Sequence, residues 1–156
     1  MRRDRQAGIT SVEFAIIGGL LMMVVFGVAE FGRALYTMNL LTEGARRGAR
    51  LAAVCPVGDP KPASAAVFAA GGGNSTFVPG LTTANARVEY LDSNGAAIAN
   101  AAANFGLIRY VRVSIVNFSL PLLIPFIMPV MNLSGFSSTL PRESLGVPRA
   151  GAVQPC

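Results

Sequence analysis

Apolar positions crowd into one block near the start of the chain. Residues 9–29 read ITSVEFAIIGGLLMMVVFGVA, interrupted by a single charge, Glu13. About 21 residues at 1.5 Å rise each are enough to cross a hydrocarbon core. Three arginines and one aspartate precede the block in residues 1–8. The positive-inside tendency therefore keeps that end cytoplasmic and sends the rest outward. A cleaved secretory signal would need a small-residue site after the block. The chain instead passes into Glu30-Phe31-Gly32-Arg33 and further helical pattern, so the segment reads as retained. A carboxylate within a span is costly, about 2.5 kcal/mol or more near the centre, though less near an end. Glu13 either snorkels to the interface or pairs with a positive group on a neighbouring subunit.

The helical period continues over residues 31–54. Phe31, Leu35, Met38, Thr42, Ala45, Ala49 and Ala52 fall on one stripe, with Arg33, Glu43, Arg47 and Arg50 on the other side. Glu43 precedes Arg47 by four residues, a favourable helical pair. The two segments together predict one helix of about 45 residues, roughly 65 Å long. Gly18 and Gly19 are its weak points. Ala45, Ala49 and Ala53, with Gly44 and Gly48, allow close backbone approach. They could meet the protein's own sheet or a helix of another subunit. Pro56 and Gly58-Asp59-Pro60 end the helix.

Beyond it, residues 57–86 are rich in Gly, Pro, Ala, Ser and Thr and read as loop, with one short helix over 63–70. Residues 87–91 alternate polar and apolar as a half-buried strand does, and Asp92-Ser93-Asn94-Gly95 is a turn signal. Residues 108–118 alternate again, and 135–140 form a third strand. The fold class is α+β: a long N-terminal helix, half transmembrane and half amphipathic, packed on a small antiparallel sheet of about three strands. Residues 119–133 (SLPLLIPFIMPVMNL) are apolar, but Pro121, Pro125 and Pro129 argue against a second spanning helix. Two readings stay open for them: a buried connection, or an apolar loop against the outer leaflet or a partner subunit.

Composition narrows the chemistry. The 156 residues carry a net charge of +5, yet only 13% are charged and no histidine is present. The commonest general base and metal ligand is thus missing. The arginines are scattered rather than clustered with aromatics, which argues against nucleic acid. The run Gly71-Gly72-Gly73 is followed by no Gly-Lys-Ser/Thr, so it is not a phosphate loop. No nucleophile–base set occurs, and Glu89, Asp92 and Glu143 read as surface groups. No catalytic residue, metal ligand, cofactor or small-molecule substrate is expected. Cys55 and Cys156 suit one disulfide in an oxidising compartment, with two free thiols as the alternative.

The stretch Gly8-Ile9-Thr10-Ser11-Val12-Glu13-Phe14 resembles the prepilin-peptidase site of type IV pilin-like proteins. In that family cleavage follows the glycine and a glutamate stands fifth in the mature chain. Gly8, Ile9 and Glu13 match. Glu30-Phe31-Gly32-Arg33 and Ala45-Arg46-Arg47-Gly48-Ala49-Arg50 are similar to the TadE subgroup of the tight-adherence (Tad/Flp, type IVc) pilus machinery. The resemblance covers residues 8–53 and is looser beyond. It implies a minor pilin, or pseudopilin, cut between Gly8 and Ile9, with Glu13 setting register between subunits. Its partners would be the membrane, prepilin peptidase and other pilin-like subunits. The expected organisation is a basic cytoplasmic leader over 1–8, a transmembrane helix over 9–29, an amphipathic continuation over 30–55 and a periplasmic or extracellular β-rich region over 56–156. An uncleaved bitopic inner-membrane scaffold is the alternative.

Overall fold

The computed structural model describes residues 4–70, 73–122, 130–147, 153, 155 and 156, with residues 4–9 as helix backbone alone. Helix α1 runs unbroken through Asp4–Val54. Gly18 and Gly19 leave no gap in it, since the i→i−4 ladder of the flanking residues carries through them. Its buried face comprises Ala34, Thr37, Leu41, Gly44, Ala45, Gly48, Ala49, Ala52 and Ala53. The upper part of the expected stripe is thereby corrected. Phe31 is 66% and Leu35 44% exposed, while Met38 and Thr42 are half-buried. The head, meaning the part of the chain that follows α1, leaves the helix largely bare above Glu30 and approaches on the side of the small residues Ala34 and Thr37. Hydrophobic size alone points to the opposite side there.

A short helix α2, Lys61–Ala66, follows the turn at Pro56–Pro60, starting two residues before the expected 63–70 and ending sooner. The Asp59 carboxylate accepts the Lys61 backbone N–H at 2.8 Å, and Pro62 sits in the first turn where its missing N–H costs nothing. Helix α2 crosses α1 at two glycines. A Cβ on Gly48 would lie 2.7 Å from Ala66 Cβ and 3.0 Å from both the Pro62 carbonyl oxygen and Val113 Cγ1. A Cβ on Gly44 would run into the Ala66 carbonyl oxygen.

Three antiparallel strands form the main sheet: β1 (Ala86–Leu91), β2 (Tyr110–Ile115) and β5 (Phe136–Pro141), in the order β1-β2-β5. Val88 pairs with Val113, Tyr90 with Val111, and Val111 in turn with Leu140. One face is therefore apolar, and α1 lies across it. Leu41, Ala45, Ala49 and Ala52 share a core with Val111, Val113, Ile115, Val67 and Leu145. The turn after β1 is held by the Asp92 carboxylate, which accepts the N–H groups of Asn94 at 2.8 Å and Ala96 at 2.9 Å.

The single strand expected over 108–118 is two strands. The chain turns at Asn117 (φ +53), and the Asn85 amide donates to the carbonyls of Val116 and Asn117 at 3.2 and 3.1 Å. Strand β3, Phe118–Pro121, then pairs antiparallel with β4, Val130–Leu133, as a two-stranded ribbon. Phe118, Leu120 and Leu133 face the core, while Ser119 and Asn132 face out. The connection read over 119–133 is thus a paired ribbon at both ends, and its residues 123–129 lie outside the described residues.

After β5 the chain crosses the end of α1 and caps it. The N–H groups of Glu143 and Leu145 donate to the Ala53 carbonyl at 3.0 and 3.3 Å, and Gly146 N–H donates to Val54 at 2.6 Å. These bonds satisfy carbonyls that a helix end leaves orphaned. Gly146 has φ +74, and a Cβ there would strike the Pro56 ring. Cys156 is disulfide-bonded to Cys55, and Lys61 Nζ donates to the Cys156 carbonyl oxygen.

Candidate functional site

A shallow depression lies at the base of the β3–β4 ribbon. The depression lined by Asn117, Phe118, Ser119, Asn132 and Ser134 offers amides and hydroxyls but no ionisable group. Among the described residues, no set of three or more His, Cys, Asp or Glu side chains could hold a metal ion. The surface with a distinctive chemistry is α1 itself, in three zones.

The first zone is apolar and bare. From Val12 to Phe31 the large side chains stand in the open, with Phe14 77%, Met23 65% and Val28 68% exposed. The helix is long and apolar enough to cross a membrane, and its most apolar window has a mean hydropathy of 2.3. A soluble monomer rarely exposes so extended an apolar patch, so the surface is built for lipid or for other helices. Glu13 lies within this zone, exposed and without a partner among the described residues. Gly8 and Ile9 lie on the α1 backbone, and their side chains fall outside the described residues.

The second zone is the junction with the head. The Arg33 guanidinium donates to the Glu30 carboxylate and also to the backbone carbonyl of Pro121, 88 residues away in sequence. The Glu30 side chain is 12% and that of Arg33 31% exposed, and Arg33 Nε has no hydrogen-bond partner among the described residues. A half-buried pair of this kind is costly to break from one side, because the survivor keeps its desolvation penalty. It therefore fixes where the ribbon meets the helix.

The third zone splits the run Ala45–Arg50 between two faces. Ala45, Ala49 and Ala53 are 1%, 0% and 3% exposed and pack inside the protein's own head. Gly48 is the point of closest approach of α2. Arg46, Arg47 and Arg50 face out; Arg47 bonds Glu43 at 3.0 Å and lies 5.0 Å from the centre of the Phe68 ring. The small residues thus answer to the head, and the arginines give the outer face its charge.

The structure brings Cys55 and Cys156 together and Ala45 and Ala49 into one core, with Ala53 buried further along the helix; Gly8 and Ile9 lie on the α1 backbone and Glu13 on its exposed part, away from that core. Residue patterns missed the Arg33–Pro121 contact. A side chain that bonds a carbonyl so distant in sequence leaves no local periodic signal.

A family model described as "TadE-like protein" matches residues 8–50. The match takes in the bare apolar zone, the Glu30–Arg33 junction and the helical run up to Arg50, just over a quarter of the chain. No curated protein and no solved structure matches the chain.

Proposed function

The chain is TadE-like across residues 8–50, and from that premise we propose that it is a structural minor pilin-like subunit processed by prepilin peptidase between Gly8 and Ile9 and used in assembling an adhesive Tad-type pilus. One observation carries this reading. Among the described residues, a single continuous helix has a long first half that is exposed and a second half with one face buried in the head. Such a helix moors the head in a membrane and leaves a free apolar rod for neighbouring rods. The reading has the protein cross the inner membrane once, N-terminus inside, with the head in the periplasm or the pilus.

Cleavage would place a free α-amine on Ile9, cationic at neutral pH with a pKa near 8. Glu13 of an adjacent subunit neutralises that amine. Desolvation offsets much of the attraction, so the pair sets register more than it adds stability. The work done is mechanical and positional, and the family the segment resembles is structural rather than enzymatic. Intact-mass measurement of the protein from cells tests the processing. A chain starting at Ile9 is expected; one retaining Met1 supports an uncleaved bitopic scaffold instead. With Glu13→Ala, co-assembly with other pilus subunits is expected to fall sharply, and unchanged assembly removes the role given to that carboxylate.

A further inference from the structure

With residues 9–29 taken as lipid-spanning, as proposed above, we infer that the open end of the β3–β4 ribbon is a second membrane contact, resting Pro121, Leu122 and Val130 in the headgroup layer of the periplasmic leaflet beside the anchor. The Arg33 bond to the Pro121 carbonyl fixes the ribbon's height. Arg33 lies four residues past Ala29, about 6 Å along the helix axis. The polar layer on each side of a bilayer is about 5–8 Å deep. The ribbon end and the Arg33 guanidinium therefore both sit at headgroup depth. Among the described residues, sustained burial of α1 begins at Glu30, whose side chain is 12% exposed, and deepens to Ala34, 4% exposed, so the ribbon end that Arg33 holds lies within a turn or so of the anchor's rim.

The ribbon has two sides: Phe118, Leu120 and Leu133 are buried in the head, while Ser119, Pro121, Val130 and Asn132 form its exposed side. At its base Phe118 pairs with Leu133, and both are buried in the head. One rung on, Ser119 and Asn132 face water. At the end, Pro121 faces Val130, which is 45% exposed, and Leu122 follows. These three side chains carry no polar atom, and Pro121 has no N–H to leave unpaired where water thins out. The Arg33 guanidinium, 31% exposed, stands at the depth of lipid phosphates, for which its planar fork is suited. The occupant is lipid because the apolar end is level with the rim of the apolar anchor, to which Arg33 ties it. Two contacts, one spanning and one resting, fix the tilt and rotation of the head over the membrane.

The chain has no tryptophan, so one introduced indole reports its own surroundings. The full-length protein is reconstituted in phosphatidylcholine–phosphatidylglycerol vesicles as three variants: Val130→Trp, Leu20→Trp and Ser137→Trp. Each is titrated with acyl-brominated lipid and, separately, with iodide. The V130W emission is expected to be blue-shifted relative to S137W, quenched by bromolipid and shielded from iodide. Adding Arg33→Gln is expected to abolish the bromolipid quenching of V130W and leave that of L20W unchanged. Quenching of V130W by iodide alone overturns the inference, as does protection from both quenchers, which would mean a protein partner covers the ribbon end. Persistence of the bromolipid quenching with Arg33→Gln overturns the placement of the ribbon by Arg33. If L20W itself escapes bromolipid, the anchor reading fails, and this separates the two.

Discussion

Gly44 and Gly48 do opposite work to the glycines upstream of them. Added methyls at Gly18, Gly19 or Gly32 would meet nothing within 4 Å, whereas at Gly44 and Gly48 they would collide with α2. Replacing a helical glycine by alanine gains up to about 1 kcal/mol of helix propensity. Overpacking a close contact costs about 1–3 kcal/mol. The collision wins where the neighbour is backbone, so Gly44→Ala is expected to destabilise the head by about 1–3 kcal/mol. Gly32→Ala is expected to cost nothing; denaturant unfolding in micelles compares them. Tyr90 supplies a pH dependence. Burial raises its phenol pKa above the ordinary 10.0, the Asp59 charge adds to the rise, and a backbone hydrogen bond from Gly58 opposes it. Above pH 10 the unfolded chain sheds this proton while the folded one keeps it, so stability is whole below that pH and falls as pH rises past it. Tm measured from pH 9 to 11.5 is expected to fall less steeply for Tyr90→Phe than for the parent.

At the scale of elements, legibility followed the length of uninterrupted pattern. The alternation Arg87-Val88-Glu89-Tyr90-Leu91 names β1 correctly, although only Arg87 is fully exposed and the strand's end, Tyr90 and Leu91, is buried on both faces. The ribbon strands were opaque: each has four residues, too few to show a period, and Pro121 closes the first. Their partner is each other, at the edge, where a terminal proline is tolerated. The α1 stripe was legible where the head surrounds the helix and misleading where it does not. From Leu41 down, small and apolar positions point inward. Above, Phe31 and Leu35 are large, apolar and outside, because their surface belongs to the same zone as the anchor. The two sides of α1 at this height should respond differently. Ala34→Leu overpacks against the core shared with Phe118 and Leu120 and is expected to cost about 1–3 kcal/mol in chemical denaturation. Leu35→Ala, on the exposed side, is expected to stay within about 0.5 kcal/mol. The candidate site divides likewise. Short local motifs marked Gly8, Ile9 and Glu13, while the Arg33–Pro121 contact exists only once the chain has folded back.

At the scale of the whole molecule, the head is closed at the lower end of α1 by three devices on one spot: the backbone caps from residues 143–146, the Gly146–Pro56 contact and the Cys55–Cys156 disulfide. The disulfide spans a sequence separation of 101, so it restrains the unfolded chain strongly, and its loss through Cys156→Ser or reductant is expected to cost about 2–5 kcal/mol of head stability. Thermal melts with and without reductant measure it, and an unchanged Tm would show that the caps alone hold the tail. The disulfide also decides how the molecule bears tension. Force applied between the anchor and residue 156 travels down the axis of α1 and jumps at Cys55 to Cys156, so the intervening loop carries none of it. An oxidised molecule under tension behaves as a stiff strut. A reduced one can pay out about 330–360 Å of extra contour from that loop, a step that single-molecule pulling reads as a length rather than an energy.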